Sequence, residues 1–469
     1  MTERMTDPGS DTFVVGGGRL VLPERVVDAD LWVEDGRIVD VIPRGHRPEL
    51  PRVPADGLVV MAGMIDTHVH LRDPGHPHRE TFASGTRAAA RGGVTTVLEM
   101  PSGIPAVSDA ESWQGKNEIV ARKAVVDYGL YGGAGLSNLD RIGEQADAGA
   151  VAFKSFMNAP APTADPGMSS RCLPDDAVFL EAMRRVAATG RVAVVHAEND
   201  AICTHLTHRL RAQGRDDLRA HAESRPVVAE EEAVSRAILL AHRAGVRLSI
   251  AHVSSAAAVD AIRRAKRNGH DVTAEVCPHH LLRSLDDAEE LGPYAKVNPP
   301  LRDDEDRAAL WLGLRDGTLD FIGTDHAPYS EAEKDRGWES IWDAPPGIHG
   351  LEAVLSVLLT EAHDGRFTLP ELTRIVSLNA ARRFGLGGRK GELRAGADAD
   401  FVLVDPDAPG VLDRRSMESV SRDAARFWDG RRTVGCVLTT FVRGTRVADR
   451  GVVVGNEGFG RLVRPERAE

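Results

Sequence analysis

Residues 64–71 read MIDTHVHL, an apolar run that ends in His68 and His70. Side chains two apart on a strand share a face, so a strand here would carry both imidazoles to one side of its C-terminal end. Working outward from it, seven more runs have the same length and character: TTVLEMP (95–101), VDYGLYGG (126–133), AVAFKSF (150–156), RVAVVHA (191–197), RLSIAHV (247–253), VTAEVCP (272–278) and LDFIGTD (319–325). Between them lie Ala- and Arg-rich helical stretches such as EEEAVSRAILLAHRAG (230–245) and SAAAVDAIRRAKRNG (255–269), which stop at glycine as helices tend to. Eight strand-then-helix units predict an α/β chain built as a (β/α)8 barrel, with its active site at the C-terminal ends of the strands. A doubly wound open sheet is the alternative with the same alternation.

The two ends of the chain read differently. Residues 13–60 and the segments 397–405 and 433–455 are short β-branched runs broken by Gly, Asp and Pro, the punctuation of hairpins, and they predict one small β domain assembled from both ends. The expected division is residues 1–61 and 390–469 for that domain and 62–389 for the barrel.

Composition narrows the function. With 42% hydrophobic and 27% charged residues the 469-residue chain has a globular balance, which sets disorder and fibrous repeats aside. A net charge of −12, with acids and bases interleaved, gives no basic face for nucleic acid. Cys172, Cys203, Cys277 and Cys436 form no CxxC pair, which fits a reducing compartment and excludes a cysteine-based zinc site. No run of 18 apolar residues occurs and residues 1–12 are polar, so we expect no membrane partner and a cytoplasmic location. The motifs GxSxG, GxxxxGK, HExxH and GxGxxG are absent, which disfavours a serine hydrolase or a nucleotide enzyme.

The chemistry lies at the strand ends. His68 and His70 end the first strand, Lys154 lies near the end of the fourth, His196 ends the fifth, His252 the sixth and Asp325 the eighth. Five strands thus deliver nitrogen, carboxylate or amine to one rim. Lys154 has two readings: a clamp for a phosphate or carboxylate, or an ε-amine carboxylated by CO2 to a bridging carbamate. Two divalent ions balanced by a carbamate, Asp325 and hydroxide leave about one net positive charge, a tolerable buried state, whereas a free ammonium would add to the excess.

These residues bring a family into view. The motifs GMIDTHVHLRDPG (63–75), AFKSFM (152–157), VVHAEN (194–199), IAHVSS (250–255), EVCPHHLL (275–282), NPPLR (298–302), GTDHAP (323–328) and GIHGLE (347–352) resemble those of the amidohydrolase superfamily, in its cyclic amidohydrolase branch of dihydroorotases, allantoinases and hydantoinases. The resemblance spans about residues 13–450. It implies two divalent metal ions, usually zinc, with His68, His70 and Asp325 on one, His196 and His252 on the other, and carboxylated Lys154 between them. It also implies a β-sandwich at the joined chain ends, a small cyclic amide or ureide as substrate, and a homodimer or homotetramer. Asp325, ligand and base, is expected to carry the catalytic proton to the departing ring nitrogen.

The branch signals conflict. Arg72, Asn298 and the pair His279-His280 look like a dihydroorotase, in which the arginine grips a substrate carboxylate; Arg72 would otherwise pair with Asp73 or Glu80. The stretches 75–101 and 224–241 look more like an allantoinase, and Ser102 stands where a dihydroorotase has asparagine. Ala159 replaces the tyrosine of a typical hydantoinase. The reading therefore puts a dihydroorotate-like acidic ring first and allantoin, opened to allantoate, second. A hydantoinase, an imidase and a non-catalytic relative follow, the last disfavoured because all six ligand positions are filled. Arg72, Ser102, Cys277, His279 and Asn298 are the expected substrate contacts. His279, His280 and His326 are expected to hydrogen-bond around the ligands, and His205, His208, His221, His242 and His270 to be solvated. The segment 158–171 is expected to act as a lid over the barrel mouth.

Overall fold

The computed structural model describes residues 11–160 and 167–466. All eight expected barrel strands form. They are Met64–Val69, Val94–Glu99, Asp127–Leu130 continued by Gly132–Gly133, Ala152–Phe156, Val192–His196, Arg247–Ile250, Val272–Val276 and Phe321–Ile322. Neighbours pair in parallel, for example Phe153 with Ala193 and Ala193 with Leu248. The ring closes where Val69 bridges His326 in parallel and the His70 amide donates to the His326 carbonyl at 2.8 Å.

Two strands differ from their sequence reading for steric reasons. The third breaks at Tyr131; a Cβ on Gly132 would lie 2.5 Å from the Phe153 ring, so only glycine lets the backbone pass there. The eighth is paired over two residues alone because the chain turns away at Gly323, where a Cβ would lie 2.4 Å from a Glu275 carboxylate oxygen. That turn brings Asp325 over the rim.

Helices cover the barrel because their apolar residues recur at helical spacing and their starts are capped. In Ala256–Arg267 the buried residues are Ala258, Val259, Ala261, Ile262 and Ala265, and Ser255 caps the first turn. The helix Val227–Ala244 ends at Gly245, whose φ of 72° is the left-handed conformation that glycine adopts freely.

The chain ends pack as two sheets. One carries Thr12–Gly16, Asp30–Glu34, Arg37–Ile42 and Arg52–Pro54; the other joins N-terminal strands Arg19–Val21 and Val59–Ala62 to C-terminal strands Phe401–Val411, Arg432–Val442 and Thr445–Asp449. Phe401 pairs with Ala62 on one side and Phe441 on the other, which fastens the two ends of the chain together. Between the sheets Phe13, Leu31, Val33, Val60, Leu403 and the stacked Phe401–Phe441 pair form a core.

Two expectations change here. His221 is buried, not solvated: the short helix Leu218–Glu223 turns it inward, and its Nε2 bonds the Val297 carbonyl at 3.1 Å. His205, His208 and His242 are exposed, and half-buried His270 stacks on His242 with ring centroids 3.9 Å apart. The lid expected over 158–171 falls in part on residues 161–166, which lie outside the described residues.

Candidate metal and active site

The strand ends place His68, His70, Lys154, His196, His252 and Asp325 on one cavity. His68 donates through Nδ1–H to Glu275 Oε1 at 2.8 Å, which turns its Nε2 toward Asp325 Oδ1 at 3.3 Å. His70 is oriented the same way: Nδ1 meets the Ser102 hydroxyl at 3.1 Å and Nε2 meets Asp325 Oδ1 at 3.4 Å. On the other side of the mouth His196 gives Nε2 to Glu198 at 2.7 Å and faces His252 Nε2 with Nδ1 at 3.0 Å. Lys154 Nζ lies 3.4 Å from His68 Nε2 and makes no ion pair with a carboxylate among the described residues. An outer carboxylate or hydroxyl holds one ring nitrogen of His68, His70 and His196, so the other is aimed inward.

Backbone strain concentrates at the same place. Arg72, His252 and Asp325 have φ of 59°, 38° and 45°, values that non-glycine residues seldom hold without surrounding support.

The electrostatics leave lone pairs free. Burial pushes His70 and His252 well below the ordinary imidazole range and lowers His196 as well, against the pull of Glu198. Burial alone would raise Asp325, but His68 and His70 hold its carboxyl well below the usual range. The neutral imidazoles of His70, His196 and His252 and the ionised carboxylate of Asp325 fit a cation. The ligand atoms of His68, His70 and Asp325 lie within 4.8 Å of one another, and N and O donors of this kind suit a divalent ion of zinc type.

Of the expected substrate contacts, Arg72, Ser102 and Asn298 line the cavity, whose volume is about 930 Å³. Arg72 pairs with neither Asp73, which takes Lys123, nor Glu80, which takes Ser84 and Ser419; its guanidinium lies over the Tyr329 ring at 4.7 Å. Cys277 and His279 do not line the wall. Both are buried, Cys277 just before and His279 within the short helix Pro278–Leu282. His280 bonds the Pro299 carbonyl at 3.0 Å, and His326 accepts the Gly350 amide at 3.1 Å through Nδ1.

The model of the Amidohydrolase family matches residues 59–447. The chain belongs to that family. Among similar proteins, the allantoinase of Rubrobacter xylanophilus is 40% identical, covering 97% of this chain and 98% of its own length. The L-hydantoinase of Paenarthrobacter aurescens is 37% identical over 96% of this chain and 97% of that protein. The solved L-hydantoinase (dihydropyrimidinase) from Arthrobacter aurescens superposes with a TM-score of 0.92 at 36% identity, covering 96% of this chain and 99% of that one. These relatives place this amidohydrolase in the cyclic amidohydrolase branch. They favour the allantoinase reading over the dihydroorotate-like reading that Arg72 suggested. The likeness to L-hydantoinase also holds despite Ala159.

Several site residues escaped the sequence reading. Glu275, which orients His68, lies on the seventh strand in the same alternation as Thr273, so an inward carboxylate was legible there. Glu198 stands two residues past His196 and bonds both it and Arg225. Arg79, Arg171, Lys296 and Tyr329 also line the cavity, but from loops that carry no periodic signal.

Proposed function

We propose that this amidohydrolase hydrolyses a ring amide of a five-membered cyclic ureide, with allantoin opened to allantoate as the leading case. The observation that carries the reading is the wall of the cavity. It presents Arg72, Asn158, Arg171, Lys296 and Asn298 beside the histidine cluster, groups that suit a polar ureido substituent better than a bulky apolar one. The near full-length similarity to an allantoinase supports it.

In this reading His68, His70 and Asp325 would hold one zinc ion and His196 and His252 a second, with Lys154, carboxylated on Nζ, as a ligand to both. Such a pair acidifies water and polarises a carbonyl when bound. Asp325 accepts the proton that water loses as its oxygen bonds to the ring carbonyl carbon. It then returns that proton to the ring nitrogen as the carbon–nitrogen bond breaks, leaving an open-chain ureide whose new carboxylic acid loses the second water proton to solvent and becomes a carboxylate. Glu275 and the Glu198–Arg225 pair fix the two histidine sets. Arg72 and Asn298 orient the ring. The barrel, residues 62–389, carries these groups, and the sandwich of residues 1–61 and 390–469 supports it. We take the enzyme to be a cytoplasmic homodimer or homotetramer that uses a small molecule and neither nucleic acid nor membrane.

A second reading, a dihydroorotate-like ring, is favoured by Arg72 alone, whose Nε is buried without a partner. A rate panel on zinc-loaded enzyme with allantoin, dihydroorotate, hydantoins and dihydrouracil separates them. Allantoin should give the highest kcat/KM; a higher value for dihydroorotate replaces the first reading with the second. Arg72→Ala should cost about tenfold or more on an acidic ring, the worth of a charge-assisted hydrogen bond, and less on a neutral one.

A further inference from the structure

The opposite end of the barrel holds a second chamber, of about 1040 Å³. Its wall includes Arg247, Thr273 and Asp320, residues at the starts of the last three strands, so it lies at the N-terminal mouth, away from the histidine rim. Six arginines face it: Arg247, Arg315, Arg366, Arg374, Arg382 and Arg383. The acids on the same wall are already engaged. Asp320 takes Lys266 at 2.7 Å, Asp316 takes Arg263 at 3.0 Å, and Glu371 caps its own helix through Thr368. Arg366 is matched by Glu361 at 2.7 Å, and Asp271 serves Arg247 and Arg383. Arg315, Arg374 and Arg382 form no ion pair with a carboxylate among the described residues. Arg383, 7% exposed, keeps a buried Nε with no hydrogen-bond partner.

An aromatic side completes the chamber. Trp311 and Phe367, both half-buried, lie with ring centroids 5.8 Å apart, and the Trp311 indole nitrogen is tied to the Leu281 carbonyl at 3.0 Å. Arg315 and Arg382 are exposed and Arg374 donates to the Pro23 carbonyl, so three guanidinium groups without an ion-pair partner edge the chamber; together they suit a multiply charged anion, and a planar fork suits phosphate oxygens. An adjoining aromatic and aliphatic wall calls for an apolar or flat body on the same ligand. We propose that this chamber is a second ligand site, which binds a flat heterocycle carrying a phosphate dianion, a ligand of the nucleoside monophosphate class.

The site is separate from the histidine rim, so its test is independent of the proposed reaction. Isothermal titration of the full-length zinc-loaded protein with AMP should show one site per chain, with Kd below about 1 mM in low salt, weakening as salt screens the arginines. Adenosine and inorganic phosphate, each lacking half of the ligand, should bind at least about tenfold more weakly. The double variant Arg315→Ala/Arg382→Ala, changed only at exposed positions, should lose at least about tenfold in AMP affinity and keep the wild-type rate on its ring substrate. No saturable binding, equal affinity in the variant, or AMP binding that competes with substrate at the histidine rim would each overturn the proposal.

Discussion

Among the described residues three clusters bring three metal-type ligands within 4.8 Å of one another; one is Cys277, His279 and His280, and the other two differ in what occupies the space between their ligands. At the junction of barrel and sandwich, Asp127, Asp398 and Asp400 surround Lys390, whose Nζ lies 2.6 Å from Asp127 and 3.0 Å from Asp398. Arg443 adds its guanidinium to Asp127 and its amide to Asp400, and Arg389 grips Asp398 at 2.8 Å. Each acid there has a cation supplied by the chain. At the rim, His68, His70 and Asp325 meet with only Lys154 Nζ beside them, 3.4 Å from His68 Nε2 and in no ion pair with a carboxylate among the described residues, and burial keeps His70 neutral. Similar spacing thus serves opposite ends: the self-neutralised cluster is a joint that ties the third barrel strand to the sandwich, and the other presents imidazole nitrogens and a carboxylate whose chemistry suits a divalent ion.

Breaking the rim should have the largest effect. Asp325→Asn should lower kcat by at least about 100-fold while circular dichroism stays that of the folded protein, because general acid–base work is worth that much or more. A variant that keeps more than a tenth of the rate would take the proton-carrying role away from Asp325. Breaking the joint should act on stability instead. Lys390→Met leaves three buried carboxylates short of a cation and should cost about 3 to 5 kcal/mol in denaturant unfolding. The folded fraction should keep its metal content and its rate; a selective loss of rate would make the joint part of the site.

A finer distinction lies inside the rim. Glu198 touches His196 rather than any reacting atom, so Glu198→Gln should weaken metal binding about 10- to 100-fold. Added zinc should then restore kcat. A kcat that stays low at saturating zinc would show that Glu198 does more than position His196.

The difference between the clusters also explains what the sequence could reveal. Barrel strands and histidine positions were legible because strand alternation and the C-terminal ends of parallel strands fix where a side chain arrives. His68, His196 and Asp325 needed no three-dimensional information to be placed on a common rim. The joint was not legible, since Asp127 lies more than 250 residues from its partner Lys390 and no local pattern links an acid on one strand to a lysine in a distant loop. His279 is placed differently for a related reason: it follows an inward-pointing Glu275, but the chain enters a helical turn at Pro278, and strand alternation ends there. Substrate choice was legible only in part, because Tyr329, Arg171 and Lys296 reach the cavity from loops.

Removal of metal tests the central claim most directly. After chelation and gel filtration, the rate of allantoin opening should fall at least about 100-fold with the fold unchanged by circular dichroism, and should return on addition of zinc in proportion to the metal bound per chain. A metal-free protein that opens allantoin at the full rate would contradict the account of the rim as a metal-dependent hydrolytic site.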